Sequence, residues 1–484
     1  MPIDLDTSPL RNRRTRIVAT LGPASDDETS IAALVEAGVD VFRLNMSHGD
    51  HASHGATLAR IREAAARADR VVGVLADLAG PKIRVGRFRD GGIELVEGEA
   101  VRVTTRDVEG EPGLIPSQYP ELARDVRSGD RMLLADGAME LVVLDSDGVE
   151  ARCEVRRGGF LTDRKGINLP GVDVSAPSLG PKDRADARFM LERGIDYLGL
   201  SFVRSAADVV SLRALVAECA SHAGIIAKVE RAEALHHADA VVSESDAVMV
   251  ARGDLGVELP AERVPTIQHQ LIDLARRHNR PVIVATQMLE SMIESERPTR
   301  AEVSDVAHAV MAGADAVMLS GETASGEHPV EAARTMDRIA REAERYLWST
   351  GAFGRLERLR GEPPIPFGDA VARSMAQLSR DLKVRAVVAV SRSGMSAVTL
   401  SAARPAAPLV AVSPDIAACR RMALMWGVIP IPCEEEALGD PVTLARRLVH
   451  ERGLATPGEF FLLVRGFHAD PYRNAPTITL LTAY

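Results

Sequence analysis

The sequence predicts an α/β protein: a (β/α)8 TIM barrel with an inserted all-β lid domain after strand three and a C-terminal α/β domain. Three observations predict it. Eight short apolar runs alternate with helical patterns, the rhythm breaks once between Gly86 and Lys182, and a Gly/Pro-rich stretch precedes a second, shorter α/β series. The apolar runs lack a polar face, so each strand needs cover on both sides, as in a parallel sheet packed by helices. Eight such strands, each followed by a helix, fit a closed barrel better than an open doubly wound sheet.

The runs are Thr15 to Leu21, Val39 to Asn45, Val71 to Asp77, Ile195 to Phe202, Gly224 to Glu230, Ala247 to Gly253, Pro281 to Thr286 and Ala316 to Ser320. Two of the helical segments begin with capping boxes, Ser25 with Glu28 and Thr299 with Glu302, and end at Gly38 and Gly313. Short β-like pieces with Gly and Asp turns fill the break, and an insertion after a barrel strand is placed to cover the active site. The domain plan is a tail at 1–14, a catalytic barrel at 15–85 and 183–348, a β-barrel lid at 86–182, a linker at 349–366 and an effector-type α/β domain at 367–484.

At 484 residues the chain is too long for one core. Hydrophobic residues at 46% and charged residues at 26% suit ordinary soluble domains. A formal charge of −10 argues against nucleic acid as a partner. The amino terminus has no apolar signal stretch and no run of 18 apolar residues occurs, so no membrane association is expected and the cytoplasm is the natural compartment. Cys153, Cys219, Cys419 and Cys433 lack zinc or disulfide spacing and read as buried free thiols.

Side chains at the carboxyl ends of barrel strands meet at one mouth. Here they are Arg43, Asn45 and Ser47; Asp77, Lys82 and Arg84; Ser201 and Arg204; Lys228 and Glu230; Arg252 and Asp254; Thr286 and Gln287; Ser320 and Glu322. Glu230 and Asp254, on neighbouring strands, suit a hard divalent ion; the alternative is a pair of salt bridges to Lys228 and Arg252. Lys228 beside a metal suits an oxyanion or a transferring phosphoryl group, and a Schiff base is the other use of such a lysine. Arg43 and Arg84 offer planar forks for phosphate, although a solvated helix cap is the commoner fate of one arginine. In ARGDLG, Ala251 to Gly256, glycines at a strand-to-helix turn let backbone N–H groups face a carboxylate. His48, His51 and His54 have metal-like spacing but sit at a helix start, where solvated or capping roles are commoner, and Met288 and Met292 read as core. No Walker or dinucleotide glycine motif is present.

These segments also resemble a known family. TRIVATLGPAS, FRLNMSHGDH, DLAGPKIRVG, AKVER, VARGDLGVELP, ATQMLESMIESERPTRAEVSDVA and DAVMLSGETASGEHPVEA are similar, in order and separation, to the signatures of pyruvate kinase. The resemblance implies phosphoryl transfer from phosphoenolpyruvate to ADP with Mg²⁺, or Mn²⁺ in its place, the last step of glycolysis. It implies that Lys228 neutralises the phosphoryl and enolate charge, that Glu230 and Asp254 hold the metal, and that Arg43 grips the phosphoryl with Ser201 nearby. Ala251, Arg252 and Gly253 would form the substrate-carboxylate loop, and Thr286 would sit beside the methylene carbon. It further implies a potassium-type site at Asn45, Ser47, Asp77 and the Leu78 carbonyl. Potassium-dependent members resemble DTKGPEIR where this chain has DLAGPKIR, so Lys82 is expected to supply that charge and potassium not to be required. The loop Ser391, Arg392, Ser393, Gly394, Met395, Ser396 resembles the family's effector loop, which binds a sugar phosphate or nucleotide, although the carboxyl-terminal RGFHADPYRNAPTITLLTAY departs from the family ending. A homotetramer is the family's usual assembly. The competing readings are a metal-dependent oxoacid aldolase or lyase on the same barrel, and a catalytically silent sugar-phosphate sensor.

Overall fold

Strands with no polar face must be covered on both sides, and in this chain closure supplies the inner cover. The computed structural model describes residues 13–356, 364–468 and 470–484; residues 1–12 of the tail and 357–363 of the linker lie outside them. Eight parallel strands form the closed barrel: β1 (Arg16–Leu21), β2 (Val41–Asn45), β3 (Gly73–Asp77), β4 (Tyr197–Leu200), β5 (Gly224–Val229), β6 (Ala247–Ala251), β7 (Val282–Ala285) and β8 (Ala316–Leu319). The ring closes where β1 pairs with β8, Arg16 opposite Ala316, and with β2, Val18 opposite Val41. Val18, Val41, Leu75, Tyr197, Ile226, Met249, Ile283 and Met318 fill the interior, while the outward residues pack against the helices in a larger core. Interior packing makes the barrel a solid platform whose functional surface is its mouth.

Local capping follows the sequence in one helix and departs from it in another. Thr299 and Glu302 form the expected capping box at Arg300–Ala312, and Gly313 ends that helix at φ +95°. The box expected from Ser25 and Glu28 does not form. Asp27, directly before the helix Glu28–Glu36, accepts the N–H groups of Thr29 and Ser30 at 2.9 and 3.0 Å, while Ser25 Oγ donates to the Thr323 carbonyl. A carboxylate adjacent to the helix start outcompetes a hydroxyl two residues earlier. Strand β6 is also shorter than expected, since Arg252 and Gly253 open the helix Arg252–Glu258.

The chain between β3 and β4 has its own core, built on Val85, Val103, Leu141, Val155 and Leu161. Its hydrogen bonding makes a six-stranded sheet, centred on Met139–Ser146 and Glu150–Arg157, and a two-stranded sheet of Gly92–Leu95 with Gly159–Thr162, rather than one closed barrel. The last domain is a five-stranded sheet with Val387–Val390 in the middle, and it contains a strand the sequence reading stopped short of. Thr477–Thr482 pairs antiparallel with Phe460–Arg465, after a Pro-rich approach and with few buried positions to mark it. Among the cysteines, Cys153 and Cys419 are buried as expected, but Cys219 and Cys433 are only partly covered. No helix among the described residues is long and apolar enough to cross a membrane.

The last domain is fastened to the end of the barrel opposite the mouth. Leu424 joins the interior cluster, and the Tyr197 hydroxyl donates to the Arg421 carbonyl at 2.7 Å. Arg404, fully buried, pairs with Asp315 Oδ1 at 2.7 Å and donates to the Gly313 carbonyl at 2.8 Å, while Asp315 Oδ2 accepts the Val282 N–H at 3.0 Å. Removing one member of a buried ion pair strands the other charge. Arg404→Leu should therefore lower unfolding free energy by about 3–5 kcal/mol in urea titrations; a loss below about 1 kcal/mol, the size of an exposed pair, would contradict this account of the junction.

Candidate active site

Three barrel strands deliver the central charge cluster. Strand β5 carries Lys228, whose Nζ donates to Ser201 Oγ at 2.7 Å and pairs with Glu230 Oε1 at 2.8 Å and Asp77 Oδ1 at 3.2 Å. An ammonium has three protons to give, and three oxygens surround this one. The Ser201 hydroxyl itself donates a hydrogen bond to the Leu78 carbonyl at 2.7 Å. Asp77, at the end of β3, accepts from Arg43 Nε at 2.7 Å, and Arg43 Nη1 donates to Thr20 Oγ1 at 3.0 Å. Glu230 Oε2 takes the N–H of Phe202, a residue held at φ +54° beyond the end of β4.

Burial works against every charge in this cluster, and the partners decide the outcome. For Lys228 the attraction of Asp77 and Glu230 outweighs burial and raises its pKa. For Asp77 the opposing charges of Lys228 and Arg43 outweigh burial and lower it. Glu230 goes the other way: burial raises its pKa, Lys228 offsets only part of this, and nearby Asp254 adds to the rise. Asp77 and Lys228 therefore stay ionised through the neutral range, and the two carboxylates nearest the cavity repel one another.

That repulsion is the test of whether a cation fits. Asp77 and Glu230 balance Lys228 and Arg43, which leaves the charge of Asp254 in excess. Among the described residues Asp254 has no hydrogen-bond or ion-pair partner, and it lines a cavity of about 720 Å³. An unpaired carboxylate beside one with a raised pKa is a donor set for a hard divalent ion, with other oxygens completing the shell. The donor chemistry fits.

Thr286 and Gln287 border the same cavity in the left-handed region, at φ +68° and +54°. A β-branched residue there is a costly arrangement, of order 1–3 kcal/mol, held by its surroundings. Here Thr286 Oγ1 accepts the Gly253 N–H at 2.7 Å and donates to the Ala285 carbonyl at 2.6 Å. Arg252 lines the cavity but is engaged: its Nη2 donates to the Thr286 carbonyl at 2.7 Å and its Nη1 pairs with Asp305 at 2.6 Å. In Ala251–Gly253 the Gly253 amide is thus already engaged, and the arginine braces β7. Lys82 lines the same cavity, and its ammonium has no hydrogen-bond or ion-pair partner among the described residues.

Other expected residues lie apart or are otherwise engaged. Arg84 Nη1 donates to the Arg164 carbonyl at 3.1 Å, at the base of the inserted domain. Arg204 holds the Val174 carbonyl. Glu322 spends both oxygens on the backbone, accepting Leu289 and Ser320 N–H groups at 3.0 and 2.6 Å. Asn45 Oδ1 accepts the Ser47 N–H at 3.1 Å. His51 pairs with Asp186 and stacks on Phe189, His54 bonds the His48 carbonyl, and among the described residues no group of three or more His, Cys, Asp or Glu side chains could hold a metal ion. Met288 and Met292 are fully buried, as expected.

In the last domain, Ser391 Oγ accepts the Ala397 N–H at 3.2 Å, Ser396 Oγ donates to the Val390 carbonyl at 3.2 Å, and Gly394 caps Met395–Ala402 at φ +94°. Arg392, Ser393 and Gly394 line a cavity of about 640 Å³ at the barrel junction, far round the molecule from the mouth, with Tyr197, Arg280 and Arg421.

Residues 12–333 match the pyruvate kinase barrel domain, and residues 369–478 match the pyruvate kinase alpha/beta domain. The chain belongs to the pyruvate kinase family. It is 47% identical to a pyruvate kinase of Corynebacterium efficiens over 421 residues, 87% of each chain. It is 44% identical to a pyruvate kinase of Mycobacterium intracellulare over 464 residues, 94% of this chain and 95% of that one. A crystal structure of a pyruvate kinase from Cryptosporidium parvum superposes with a TM-score of 0.91 at 35% identity, covering 99% of both chains. The protein is accordingly a pyruvate kinase family phosphotransferase, using phosphoenolpyruvate, ADP and a divalent metal, and the aldolase and silent-sensor readings find no support among these relatives.

Sequence reasoning missed Glu258, one helical turn beyond Asp254 and on the same face, a spacing that could have flagged it. Its Oε2 is buried without a hydrogen-bond partner, and its pKa is pushed up to about 7 by burial, with Arg231 pulling it down and Glu233 and Asp254 pushing it further up. Because the folded pKa lies above the unfolded carboxylate value, its stabilising contribution is complete below the unfolded value and disappears as pH rises through about 7. In metal-free buffer, Glu258→Gln should flatten this part of the pH dependence, so that the variant gains on the wild type at pH about 8 relative to pH about 5. Parallel urea midpoints for the two proteins across that range would refute it.

Proposed function

We propose that the Lys228 cluster and the cavity beside it form a magnesium-dependent phosphoenolpyruvate site, with Mn²⁺ able to replace Mg²⁺. The observation that carries this reading is the Lys228 ammonium, held among Ser201 Oγ, Asp77 and Glu230, with Glu230 in turn feeling the charge of Asp254. Glu230 and Asp254 would hold the ion, which would supply positive charge against the negative charge of the substrate. Lys228 neutralises charge on the transferring phosphoryl and on the enolate oxygen, and Ser201 fixes the ammonium's direction. Arg43 grips the phosphoryl, anchored through Asp77 and Thr20 so that no reorganisation is needed at transfer. Ala251, Arg252 and Gly253 shape the carboxylate-binding loop, with Arg252 acting as a brace. Thr286, held in a strained backbone by Gly253 and Ala285, stands beside the methylene carbon that gains a proton. Arg84 takes part only when the inserted domain moves over the mouth, because in this arrangement it is bound to that domain's carbonyl.

Asn45, Ser47, Asp77 and the Leu78 carbonyl are assigned to the monovalent-cation corner, with Lys82 supplying the charge; support comes from its ammonium, which lines the cavity and has no hydrogen-bond or ion-pair partner among the described residues. Ser391, Arg392, Ser393, Gly394 and Ser396 are assigned to an effector subsite for a sugar phosphate or nucleotide, supported by the arginine-lined cavity beside the loop. The protein is assigned to the cytoplasm as a homotetramer, with no nucleic-acid partner.

The test is phosphoenolpyruvate and Mg²⁺ with and without ADP: pyruvate and ATP should appear together, and only with ADP. Pyruvate formed without nucleotide would overturn the reading. Lys228→Met should lower turnover by about 10³-fold or more, because it removes a cation needed most in the transition state. It should keep native circular dichroism while losing stability, since Glu230 remains buried. Near-normal turnover would remove Lys228 from the mechanism. In buffer free of sodium and potassium, the wild type should be active, and Lys82→Glu should acquire a potassium requirement; a wild type silent until potassium is added would defeat the Lys82 assignment.

A further inference from the structure

Arg231 directly follows Glu230, but its guanidinium reaches the inserted domain. Its Nη2 donates to the carbonyls of Val172 at 3.1 Å and Leu169 at 3.4 Å, in the segment by which that domain returns to the barrel. Its charge pairs with Glu233 Oε1 at 2.9 Å, and the residue is only 8% exposed. Arg204 holds the same segment at the Val174 carbonyl. On the other side stands Glu258, on the helix and on the face that carry Asp254. Its Oε2 is buried without a hydrogen-bond partner, although its carboxylate feels the Arg231 charge. Two neighbouring pairs therefore result: Glu230 feels the charge of Asp254, and Glu258 feels that of Arg231, which holds the segment 169–174.

A buried oxygen without a partner costs free energy: the Glu258 carboxyl accepts the Ala232 N–H but its Oε2 has no partner, while the neighbouring Arg231 guanidinium is spent on Glu233 and on the Leu169 and Val172 carbonyls. Resting on the assignment of Glu230 and Asp254 as the metal ligands, we propose that Arg231 is a positioning residue with two seats. In the arrangement described it sits on the Leu169 and Val172 carbonyls; when the inserted domain closes, it moves to Glu258 Oε2. The move draws the Glu230 turn and the Asp254 helix together, so domain closure tightens the grip on the divalent ion. Arg231 touches neither ion nor substrate; it acts through the spacing of the two ligands.

The experiment titrates full-length protein with Mn²⁺, read by water-proton relaxation, with and without phosphoenolpyruvate and always without ADP, so that no turnover enters. In the wild type, phosphoenolpyruvate should tighten Mn²⁺ binding and change amide hydrogen exchange across residues 169–174. Glu258→Gln and Arg231→Gln should each weaken Mn²⁺ binding in the presence of phosphoenolpyruvate by about tenfold, the scale of an outer-shell partner. The double variant should lose no more than either single one, because both act through one contact. Arg231→Lys keeps the charge but not the two-seat fork and should recover only part of the loss. If Arg231→Gln fails to fold, Glu258→Gln and Arg231→Lys carry the same comparison. Wild-type Mn²⁺ affinity in these variants, or losses that simply add, would overturn the proposal. Glu230→Gln separates the two readings: if it leaves Mn²⁺ binding intact, the metal-site assignment itself fails, whereas its loss of binding beside silent Glu258 and Arg231 variants sinks only the coupling.

Discussion

A single buried ammonium organises the mouth of the barrel. Lys228 would be expelled or neutralised in an apolar wall, because burying an isolated charge costs several kcal/mol. It stays because Asp77 and Glu230 approach from the strand ends on either side of β4 and from its own turn, and because Ser201 supplies the third acceptor. Asp77 is in turn tolerable only because Arg43 bonds its other oxygen. Each member is costly alone and stable in company, so the cluster is a cooperative unit rather than a sum of pairs. The barrel provides what this demands: strand ends fixed closely enough that no charge can drift from its partners.

The same cluster leaves one side unbalanced, and that side opens to the cavity. Asp254 has no partner among the described residues, and Glu230 has a raised pKa. Lys82, in the same cavity, is likewise unpaired among the described residues, and Thr286 is held in the left-handed region by hydrogen bonds with Gly253, Ala285 and Arg252. Unpaired charge and strained backbone are what a fold tolerates where a ligand is to complete the arrangement.

Much of this was legible in the residues. Runs such as Gly224 to Val229 admit only one environment, buried on both faces, and eight of them with helices between leave little choice but closure. Lys228, Glu230 and Asp254 could be placed at one mouth because strand ends follow from where apolar runs stop. What the residues did not disclose depends on side-chain direction or on competition between similar groups. Arg252 sits at the mouth in sequence but braces β7, since carbonyls of Ala285 and Thr286 and the Asp305 carboxylate lie within its reach. Asp27 displaced Ser25 as a cap because two good acceptors stood two residues apart. Arg84 went to the base of the inserted domain, where a carbonyl from a residue 80 positions later decided its place. Thr477–Thr482 was missed because an edge strand with one neighbour buries too little to show a pattern.

Leu424 shares the barrel's interior layer with side chains of the strands themselves, although it belongs to the last domain and lies more than a hundred residues downstream of β8. The floor of the catalytic barrel is thus borrowed. Cut away from the remainder, the barrel would expose an apolar well at its base and a row of unmatched polar groups around the rim. Its lower half could not settle as a stand-alone fragment. The carboxyl-terminal domain is therefore a structural stopper, whose Leu424, Arg421 and Arg404 touch the barrel strands directly.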